Sequence, residues 1–306
     1  MVESVLDLIG KTPLVKLHKV NNTGSEIWAK LGALNPTGSI KDVMALYMMD
    51  MAEKRGELKP GARIIEATSG NTGISFAMLA LLKGYKFVAV MPEYMSQERI
   101  QMMEAFGAEI VLTPAAEGFA GAIKKFEELA KEHPDAWLPR QFDNPDNTAA
   151  HREITGKRIL EEIDGEIDAF VAGVGTGGTL MGVAEALKRV YPNVKIVAVE
   201  PAESAVMSGD DSGYHKIQGI GPGFIPSLIN MDLIDSVVTV SSEDAITMTR
   251  SLVREEGLMV GISSGANVLA ALKVAGEIGD GKTIVTVLAD RVERYISMGV
   301  FSSAFR

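Results

Sequence analysis

The stretch Gly173-Val174-Gly175-Thr176-Gly177-Gly178-Thr179 follows an apolar segment that ends at Gly173 and precedes a helix-like segment near residues 178–190. Glycines lack a Cβ atom and let backbone N–H groups approach an anion closely, and the two threonines add hydroxyl donors. The start of a helix also carries positive electrostatic potential. This strand–loop–helix junction therefore predicts an α/β fold with a phosphate-binding loop at residues 173–179.

The same loop also fits a rival interpretation. Gly173, Gly175 and Gly178 match the dinucleotide pattern G-x-G-x-x-G, and Glu200 ends the next predicted strand, where a ribose-binding acid would lie. A nicotinamide-dependent oxidoreductase is thus a second hypothesis. Its weakness is that the pattern lies in the middle of the chain and leaves two other polar loops, residues 35–42 and 68–73, without a role.

Short apolar runs alternate with longer amphipathic segments along the whole chain. This alternation predicts an α/β protein with mainly parallel, twisted sheets covered by helices. The predicted strands are Pro13–Leu17, Glu26–Leu31, Arg63–Ala67, Lys86–Val90, Glu109–Thr113, Asp168–Gly173, Val194–Val199, Ser236–Val240 and Thr283–Leu288. The predicted helices lie near residues 40–56, 71–83, 96–106, 118–132, 147–163, 178–190, 242–256 and 264–276.

A turn-rich stretch at residues 143–147, Asp-Asn-Pro-Asp-Asn, indicates a domain boundary near residue 145. We expect residues 1–145 and 146–306 to form two α/β domains, with the first strands pairing with the sheet of the other domain. In such sheets ligands bind beyond the carboxyl ends of the strands, where loops turn into helices.

Composition narrows the classes of function. The chain has 306 residues, a formal net charge of −10 and no cysteine, which excludes disulfides and thiolate metal sites. Its charges are mixed and no basic cluster stands out, so we expect neither a nucleic-acid nor a membrane partner. The N-terminal residues lack the pattern of a signal peptide, and a cytoplasmic location is expected.

Three further loops carry polar residues suited to chemistry. Lys41 follows a proline- and glycine-containing turn and would lie in the first turn of a helix, where the dipole mildly disfavours its charged form. Thr68-Ser69-Gly70-Asn71-Thr72-Gly73 places hydroxyls and an amide before a helix, an arrangement suited to a carboxylate. Residues 261–266, Gly-Ile-Ser-Ser-Gly-Ala, could simply cap a helix and allow close packing.

Taken together, these four loops resemble those of the cysteine synthase (O-acetylserine sulfhydrylase) family. This family consists of fold type II pyridoxal phosphate enzymes with the tryptophan synthase β-like fold. The resemblance runs nearly end to end, since it includes residues 9–15 (Ile-Gly-Lys-Thr-Pro-Leu-Val), residues 215–221 (His-Lys-Ile-Gln-Gly-Ile-Gly) and Glu293-Arg294-Tyr295.

The resemblance implies a role for each matching residue. Lys41 would form the Schiff base with pyridoxal 5′-phosphate and act as general base, and Asn71 would bind the pyridoxal O3′. The remaining cofactor ligands would be Gly175, Thr176, Gly177, Gly178 and Thr179 for the phosphate, and Ser263 for the pyridine nitrogen. Thr68, Ser69, Thr72 and Gln141 would hold the substrate carboxylate, with Gly219 near the amino group.

The resemblance also implies the reaction, a β-replacement that makes L-cysteine from O-acetyl-L-serine and sulfide through an aminoacrylate intermediate. A neutral serine at position 263 suits this chemistry, because it does not favour a protonated pyridine ring. A homodimer is implied, together with docking of the C-terminal tail of serine acetyltransferase. Use of O-phosphoserine, cystathionine β-synthase activity and cysteine desulfhydrase activity stay open as alternatives.

Three departures from the family pattern stand out. Gly32 replaces a common glutamate and Val43 a common arginine, which suggests one family ion pair missing on both sides. Near the C-terminus, residues 289–292 read Ala-Asp-Arg-Val, where the family has proline, a polar pair and glycine. Because valine does not readily adopt a positive φ, we expect this loop to run differently. Arg291 adds a charge that could face a substrate.

Overall fold

The computed structural model describes residues 2–301, in which strands and α-helices alternate. The strands are β1 (Leu14–Lys16), β2 (Glu26–Lys30), β3 (Arg63–Ala67), β4 (Lys86–Pro92), β5 (Glu109–Thr113), β6 (Ala169–Gly173), β7 (Lys195–Pro201), β8 (Ser236–Val240) and β9 (Thr283–Val287). The helices are α1 (Lys41–Arg55), α2 (Asn71–Lys83), α3 (Gln97–Ala105), α4 (Gly118–Glu132), α5 (Pro145–Ala150), α6 (Lys157–Glu162), α7 (Gly178–Val190), α8 (Ser242–Glu256) and α9 (Ile262–Ile278).

Every predicted strand is present, and α2, α4, α7 and α8 have the predicted bounds. The helix predicted over residues 147–163 differs, because a π-helical segment, His151–Gly156, separates α5 from α6. This segment packs closely against α7, where a Cβ atom on Gly182 would lie 2.3 Å from the carbonyl oxygen of Thr148 and 2.7 Å from the backbone nitrogen of Arg152. Local periodicity does not report such a contact, so the π-helical turn could not be predicted from it.

The chain divides into two compact units. The first unit contains residues 1–40 and 147–306, and the second contains residues 41–146. Residues 1–40 thus group with the second half of the chain rather than with residues 41–145. The physical reason is that β2 pairs in parallel with β9, with Glu26 opposite Thr283 and Lys30 opposite Val287.

The first unit is built on a six-stranded sheet with the order β1-β2-β9-β6-β7-β8. β1 is antiparallel to β2, and the other neighbours are parallel. Apolar side chains cover both faces of the sheet. One face packs against α9 through residues such as Val171 and Ala271, and the other packs against α7 through residues such as Phe170 and Leu180. A sheet that is buried on both faces explains the nearly continuous apolar strands in the sequence.

The second unit has a parallel three-stranded sheet with the order β3-β4-β5. Its core includes Ile65, Val88 and Val90 from the sheet and Phe126 from α4. The two units confirm the predicted α/β class, with mainly parallel sheets covered by helices. Within residues 2–301, the structure has no helix with both the length and the apolar character needed to cross a membrane.

Candidate active site

The residues that the sequence singles out lie at the starts of four helices. Lys41 is the first residue of α1, Asn71 is the first residue of α2, Gly178 is the first residue of α7, and Ser263 is the second residue of α9. Helix starts expose N–H groups that lack a partner within the helix and attract negatively charged groups. The first unit carries two of these helix starts and the second unit carries the other two.

In the first unit, the predicted phosphate loop connects β6 to α7 and includes closely packed glycines. Gly177 has a φ of +87°, and a Cβ atom there would lie 2.7 Å from Cδ1 of Ile229. A Cβ atom on Gly175 would lie 2.4 Å from the carbonyl oxygen of Gly219. Backbone, rather than side chain, therefore forms the surface of this loop.

Two buried side chains form hydrogen bonds with the threonine hydroxyls of the loop. The side-chain amide of Asn147 donates to Oγ1 of Thr176 at 2.9 Å, and Oγ1 of Thr179 lies 3.2 Å from Nε2 of His151. Asn147 and His151 are fully buried. Because Thr176 accepts this bond, its own hydroxyl proton is directed elsewhere and can donate to an anion.

Gly219 and Ser263 lie close together in the same unit. Gly219 has a φ of +96°, and a Cβ atom there would be 3.9 Å from Oγ of Ser263. The Ser263 side chain is buried in the first turn of α9. Since Gly219 also contacts Gly175, the structure brings together the predicted phosphate loop, the predicted partner of a ring nitrogen and the predicted neighbour of a substrate amino group.

This arrangement fits a phosphorylated heterocycle. The loop offers backbone N–H groups at the start of α7, hydroxyls on Thr176 and Thr179, and no Cβ atom at Gly175, Gly177 or Gly178. These are the groups that recognise phosphate at helix starts. Ser263 offers a neutral hydroxyl, which can pair with a ring nitrogen that carries no proton. The first unit therefore has the features needed to bind pyridoxal phosphate.

In the second unit, Lys41 begins α1 next to a buried polar contact. The hydroxyl of Ser75 donates to a carboxylate oxygen of Asp42 at 2.6 Å, and both residues have no exposed surface. This bond ties the first turn of α1 to α2, the helix that begins at Asn71. The position of Lys41 relative to Asn71 is thereby constrained within one compact unit.

The predicted carboxylate loop also lies in the second unit, directly after β3. The hydroxyl of Thr72 donates to Oε1 of Gln141 at 2.7 Å, so these two predicted ligands are in contact. Thr68 is buried, and a Cβ atom on Gly73 would be 3.1 Å from its Cγ2 atom. Ser69 is half-buried at the turn between them.

Sequence reasoning missed three residues that support these loops, namely Asn147, His151 and Glu66. Asn147 stands in the turn-rich stretch that suggests a domain boundary, and His151 lies in the π-helical segment. Glu66 is buried near the end of β3 and accepts backbone N–H groups from residues 140 and 141. The one signal for Glu66 was a charged residue between the apolar residues Ile65 and Ala67 of a strand; nothing in the sequence points to the other two.

The departures from the family pattern have structural counterparts in the first unit. A Cβ atom on Gly32 would lie 2.8 Å from Cβ of Ile40, so a larger residue there requires a shift of the chain. Nε of Arg291 donates to the carbonyl oxygen of Ala33 at 3.1 Å, and its backbone nitrogen donates to Gly38 at 3.2 Å. Arg291 thus binds the segment that leads to Lys41. The missing ion pair stays a hypothesis, because Gly32 and Val43 belong to different units.

Comparisons with known proteins identify the family of this chain. The model of the family described as pyridoxal-phosphate dependent enzyme matches residues 5–290. A cysteine synthase of Staphylococcus aureus (strain Mu50) is 50% identical over 303 residues, which cover 98% of this chain and 97% of that protein.

Two solved structures are similar over nearly their whole length. O-acetyl serine sulfhydrylase isoform 3 of Entamoeba histolytica superposes with a TM-score of 0.96 and 46% identity, covering 99% of this chain and 92% of that one. An O-acetylserine dependent cystathionine β-synthase of Helicobacter pylori gives a TM-score of 0.93 and 41% identity, covering 98% and 99%. The family model and these relatives show that this chain belongs to the family of pyridoxal-phosphate dependent enzymes.

Proposed function

We propose that this enzyme makes L-cysteine from O-acetyl-L-serine and sulfide by β-replacement. The observation that carries the proposal is the placement of Lys41, Asn71, the loop 175–179 and Ser263 at four helix starts, in the residue types that this chemistry needs. The likeness to cysteine synthases over 98% of the chain supports the choice of reaction. In this proposal, the second unit supplies Lys41 and the carboxylate loop, and the first unit supplies the phosphate loop.

Pyridoxal phosphate, when bound, supplies an electron sink for negative charge at the substrate Cα atom. Lys41 would hold the cofactor covalently and, once the substrate amine has displaced it, would take the proton from Cα. The acetate group leaves with the bonding electron pair of the Cβ–O bond, hydrosulfide forms the Cβ–S bond, and a proton returns to Cα. Atoms and electrons balance without an oxidant, which separates this reaction from that of a nicotinamide-dependent enzyme.

The remaining residues would bind and orient. Thr68, Ser69, Thr72 and Gln141 would hold the substrate carboxylate, so that the Cα–H bond points toward Lys41. Gly219 would lie near the substrate amino group, and Asn71 would bind the hydroxyl of the cofactor ring. Ser263 would keep the ring nitrogen unprotonated, which limits charge delocalisation and favours loss of a group from Cβ.

A Lys41→Ala variant tests the proposal, with Lys54→Ala on the exposed end of the same helix as the matched control. The wild type and the control should be yellow when purified with the cofactor, and borohydride should bleach them. Lys41→Ala should fold, fail to retain the cofactor covalently and form no cysteine. Cysteine formation by Lys41→Ala at the wild-type rate would overturn the assignment.

The nucleophile is a separate question, because a similar solved structure is that of an O-acetylserine dependent cystathionine β-synthase. Turnover rates should be measured for O-acetylserine and for O-phosphoserine, each with sulfide and with homocysteine as the nucleophile. The preferred pair distinguishes a cysteine synthase from an O-phosphoserine sulfhydrylase and from a cystathionine β-synthase. Formation of sulfide from cysteine as the fastest reaction would instead indicate a desulfhydrase. An absorbance change on adding O-acetylserine that sulfide reverses is the result expected of a cysteine synthase.

We also propose that the enzyme works in the cytoplasm as a homodimer and can dock the C-terminal tail of serine acetyltransferase. The resemblance to cysteine synthases supports these three statements. Sedimentation of the purified enzyme, alone and with a synthetic peptide of that tail, tests the assembly and the docking.

A further inference from the structure

A buried carboxylate lies behind the predicted carboxylate loop. Glu66 is in β3, two residues before Thr68, and only 4% of its surface is exposed. One of its oxygens accepts the backbone N–H of Arg140 at 2.9 Å, and the other accepts the backbone N–H of Gln141 at 3.4 Å. Glu66 therefore uses both oxygens to bind the main chain of a segment that is distant in sequence.

The segment that Glu66 binds runs beside β3. Trp137 exchanges backbone hydrogen bonds with the strand, donating to Arg63 at 2.8 Å and accepting from Ile65 at 3.1 Å. The chain then continues to residues 140 and 141. Their backbone N–H groups donate to the Glu66 carboxylate rather than to the backbone of a strand. The carboxylate thus extends the attachment of this segment to β3 beyond the backbone pairing.

Arg140 shows that the segment is tightly held. Among residues 2–301, it is the one non-glycine residue with a positive φ, which is +51°. Such a conformation is unfavourable for a side chain with a Cβ atom and persists only where surrounding contacts enforce it. The bonds to Glu66 at residues 140 and 141 provide contacts of this kind.

The position of Gln141 matters because its side chain meets the carboxylate loop. Oε1 of Gln141 accepts the hydroxyl of Thr72 at 2.7 Å. Both side chains are buried, so a displacement of the Gln141 backbone breaks a contact that water does not readily replace. A continuous chain of hydrogen bonds therefore leads from Glu66 through Gln141 to Thr72.

We propose that Glu66 is a positioning residue whose ionised carboxylate, by accepting the amides of Arg140 and Gln141, fixes Gln141 against Thr72 and prepares the carboxylate loop for an amino-acid substrate. This inference rests on the proposed function, since it assigns the loop to a substrate carboxylate. Glu66 touches neither substrate nor cofactor in this role and acts through Gln141.

Ionisation is what makes Glu66 suited to this task. A carboxylate accepts hydrogen bonds on both oxygens, whereas a protonated carboxyl carries an O–H group that would face one of the two N–H donors. Burial raises the pKa of Glu66 to about 7, although the Arg140 and Gln141 amides and the Arg140 charge oppose the rise. Asp143 also raises it. Binding of the substrate carboxylate should therefore weaken as pH falls through neutrality.

The side chains of Arg140 and Glu127 do not share the role. The Arg140 guanidinium points to the surface, where it pairs with Glu127 at 2.8 and 3.2 Å and lies 5.2 Å from the centre of the Phe126 ring. Glu127 is half-buried and contacts the side chain of Arg140 rather than its backbone. A Glu127→Gln variant is thus a matched control, because it removes a carboxylate next to Arg140 without changing the acceptors of the two amides.

The first test is binding of L-alanine to the cofactor-loaded enzyme, followed by absorbance. L-alanine has the carboxylate and amine of a substrate but no leaving group at Cβ. Glu66→Gln should bind it about tenfold more weakly than wild type at pH 8, the loss expected for one hydrogen bond to a charged group. At pH 6 the two affinities should converge, and Glu127→Gln should match wild type at both pH values. A Glu66→Gln effect of equal size at both pH values, or the same effect in Glu127→Gln, overturns the proposal.

A second test needs neither substrate nor variant. In wild type, hydrogen exchange of a peptide covering residues 140 and 141, corrected for the intrinsic effect of pH, should show about tenfold lower protection at pH 6 than at pH 8. Equal protection at the two pH values contradicts the role of Glu66. If L-alanine causes no absorbance change in wild type, the proposed function fails, whereas the exchange result still decides how Glu66 acts on residues 140 and 141.

Discussion

The side-chain amide of Asn147 donates a hydrogen bond to the hydroxyl of Thr176 at 2.9 Å, behind the loop that turns from β6 into α7. Asn147 has no exposed surface, and a Cβ atom on Gly178 would lie 2.0 Å from its Oδ1 atom. The loop therefore packs so closely against Asn147 that a side chain at position 178 would clash with it. The bond occupies an acceptor site of Thr176, so its own hydroxyl proton can donate to an anion such as the proposed cofactor phosphate.

An Asn147→Ala variant should bind pyridoxal phosphate about tenfold more weakly, because the Thr176 hydroxyl loses the partner that orients it. The dissociation constant can be measured by quenching of protein fluorescence during titration with the cofactor. Asn21→Ala is the control, since Asn21 bonds to Ser25 and Thr23 within its own turn. Equal affinities for Asn147→Ala and the control would show that Asn147 does not orient the loop.

A Gly175→Ala variant should lose cofactor binding and unfold at lower denaturant concentration. The new methyl group would lie 2.4 Å from the carbonyl oxygen of Gly219, and overpacking of this kind costs about 1–3 kcal/mol. Gly276→Ala is the matched control, because a Cβ atom there meets no atom within 4 Å. Gly276 lies inside α9, so alanine should raise stability by about 0.5–1 kcal/mol. Destabilisation of similar size by both substitutions would contradict the close approach at Gly175.

A Glu162→Gln variant should lower the free energy of unfolding by about 2 kcal/mol, because it leaves the buried ammonium group of Lys30 without its charged partner. Lys30 is 2% exposed, and its Nζ atom lies 2.7 Å from Oε1 of Glu162. Burial lowers the pKa of Lys30, and Glu162 opposes that change. Glu162 also accepts the backbone N–H of Leu14 at 2.7 Å.

The control for this pair is Glu161→Gln on the same helix, whose carboxylate forms exposed ion pairs with Lys157 and Arg158. Exposed pairs contribute little, and the change should stay within about 0.5 kcal/mol. Urea unfolding at pH 7 measures both variants. If they lose the same stability, the contact between Glu162 and Lys30 is not a significant stabilising interaction.

The raised pKa of Glu66 makes the free energy of unfolding depend on pH. Burial raises the pKa of Glu66 from 4.5 to about 7 in the folded protein, so the folded state holds this proton more tightly than the unfolded chain does. The corresponding stabilisation is complete below about pH 4.5 and is lost as pH rises to about 7. The loss amounts to about 3 kcal/mol, from 1.36 kcal/mol per pKa unit.

The Glu66→Gln variant isolates this contribution, since glutamine is neutral at every pH. Relative to wild type, the variant should gain up to about 3 kcal/mol between pH 5 and pH 8, measured as the difference in urea unfolding free energy. A stability difference that does not change with pH would show that the Glu66 carboxyl titrates in the folded protein as it does in the unfolded chain.

Much of the fold follows from local patterns. The apolar, β-branched runs predict the nine strands, and the spacing of apolar residues predicts most helices, because both signals depend on residues that are neighbours in sequence. The glycine-rich loop at residues 173–179 likewise predicts, from its composition, an anion-binding loop at the start of a helix. The roles of Lys41, Asn71 and Ser263 required the family resemblance as well, since a single lysine, asparagine or serine is ambiguous.

Local patterns alone did not settle the contacts between segments that are far apart in the sequence. The pairing of β2 with β9, which places residues 1–40 in the first unit, joins residues more than 250 positions apart. The supports of the two loops, Asn147 behind Thr176 and Glu66 behind Gln141, are ordinary polar residues until the fold buries them. Sequence by itself determined which loops carry polar and glycine-rich residues suited to binding, because that chemistry is local. Tertiary structure decided which side chains hold those loops in place, because burial and hydrogen-bond geometry exist only once the chain is packed.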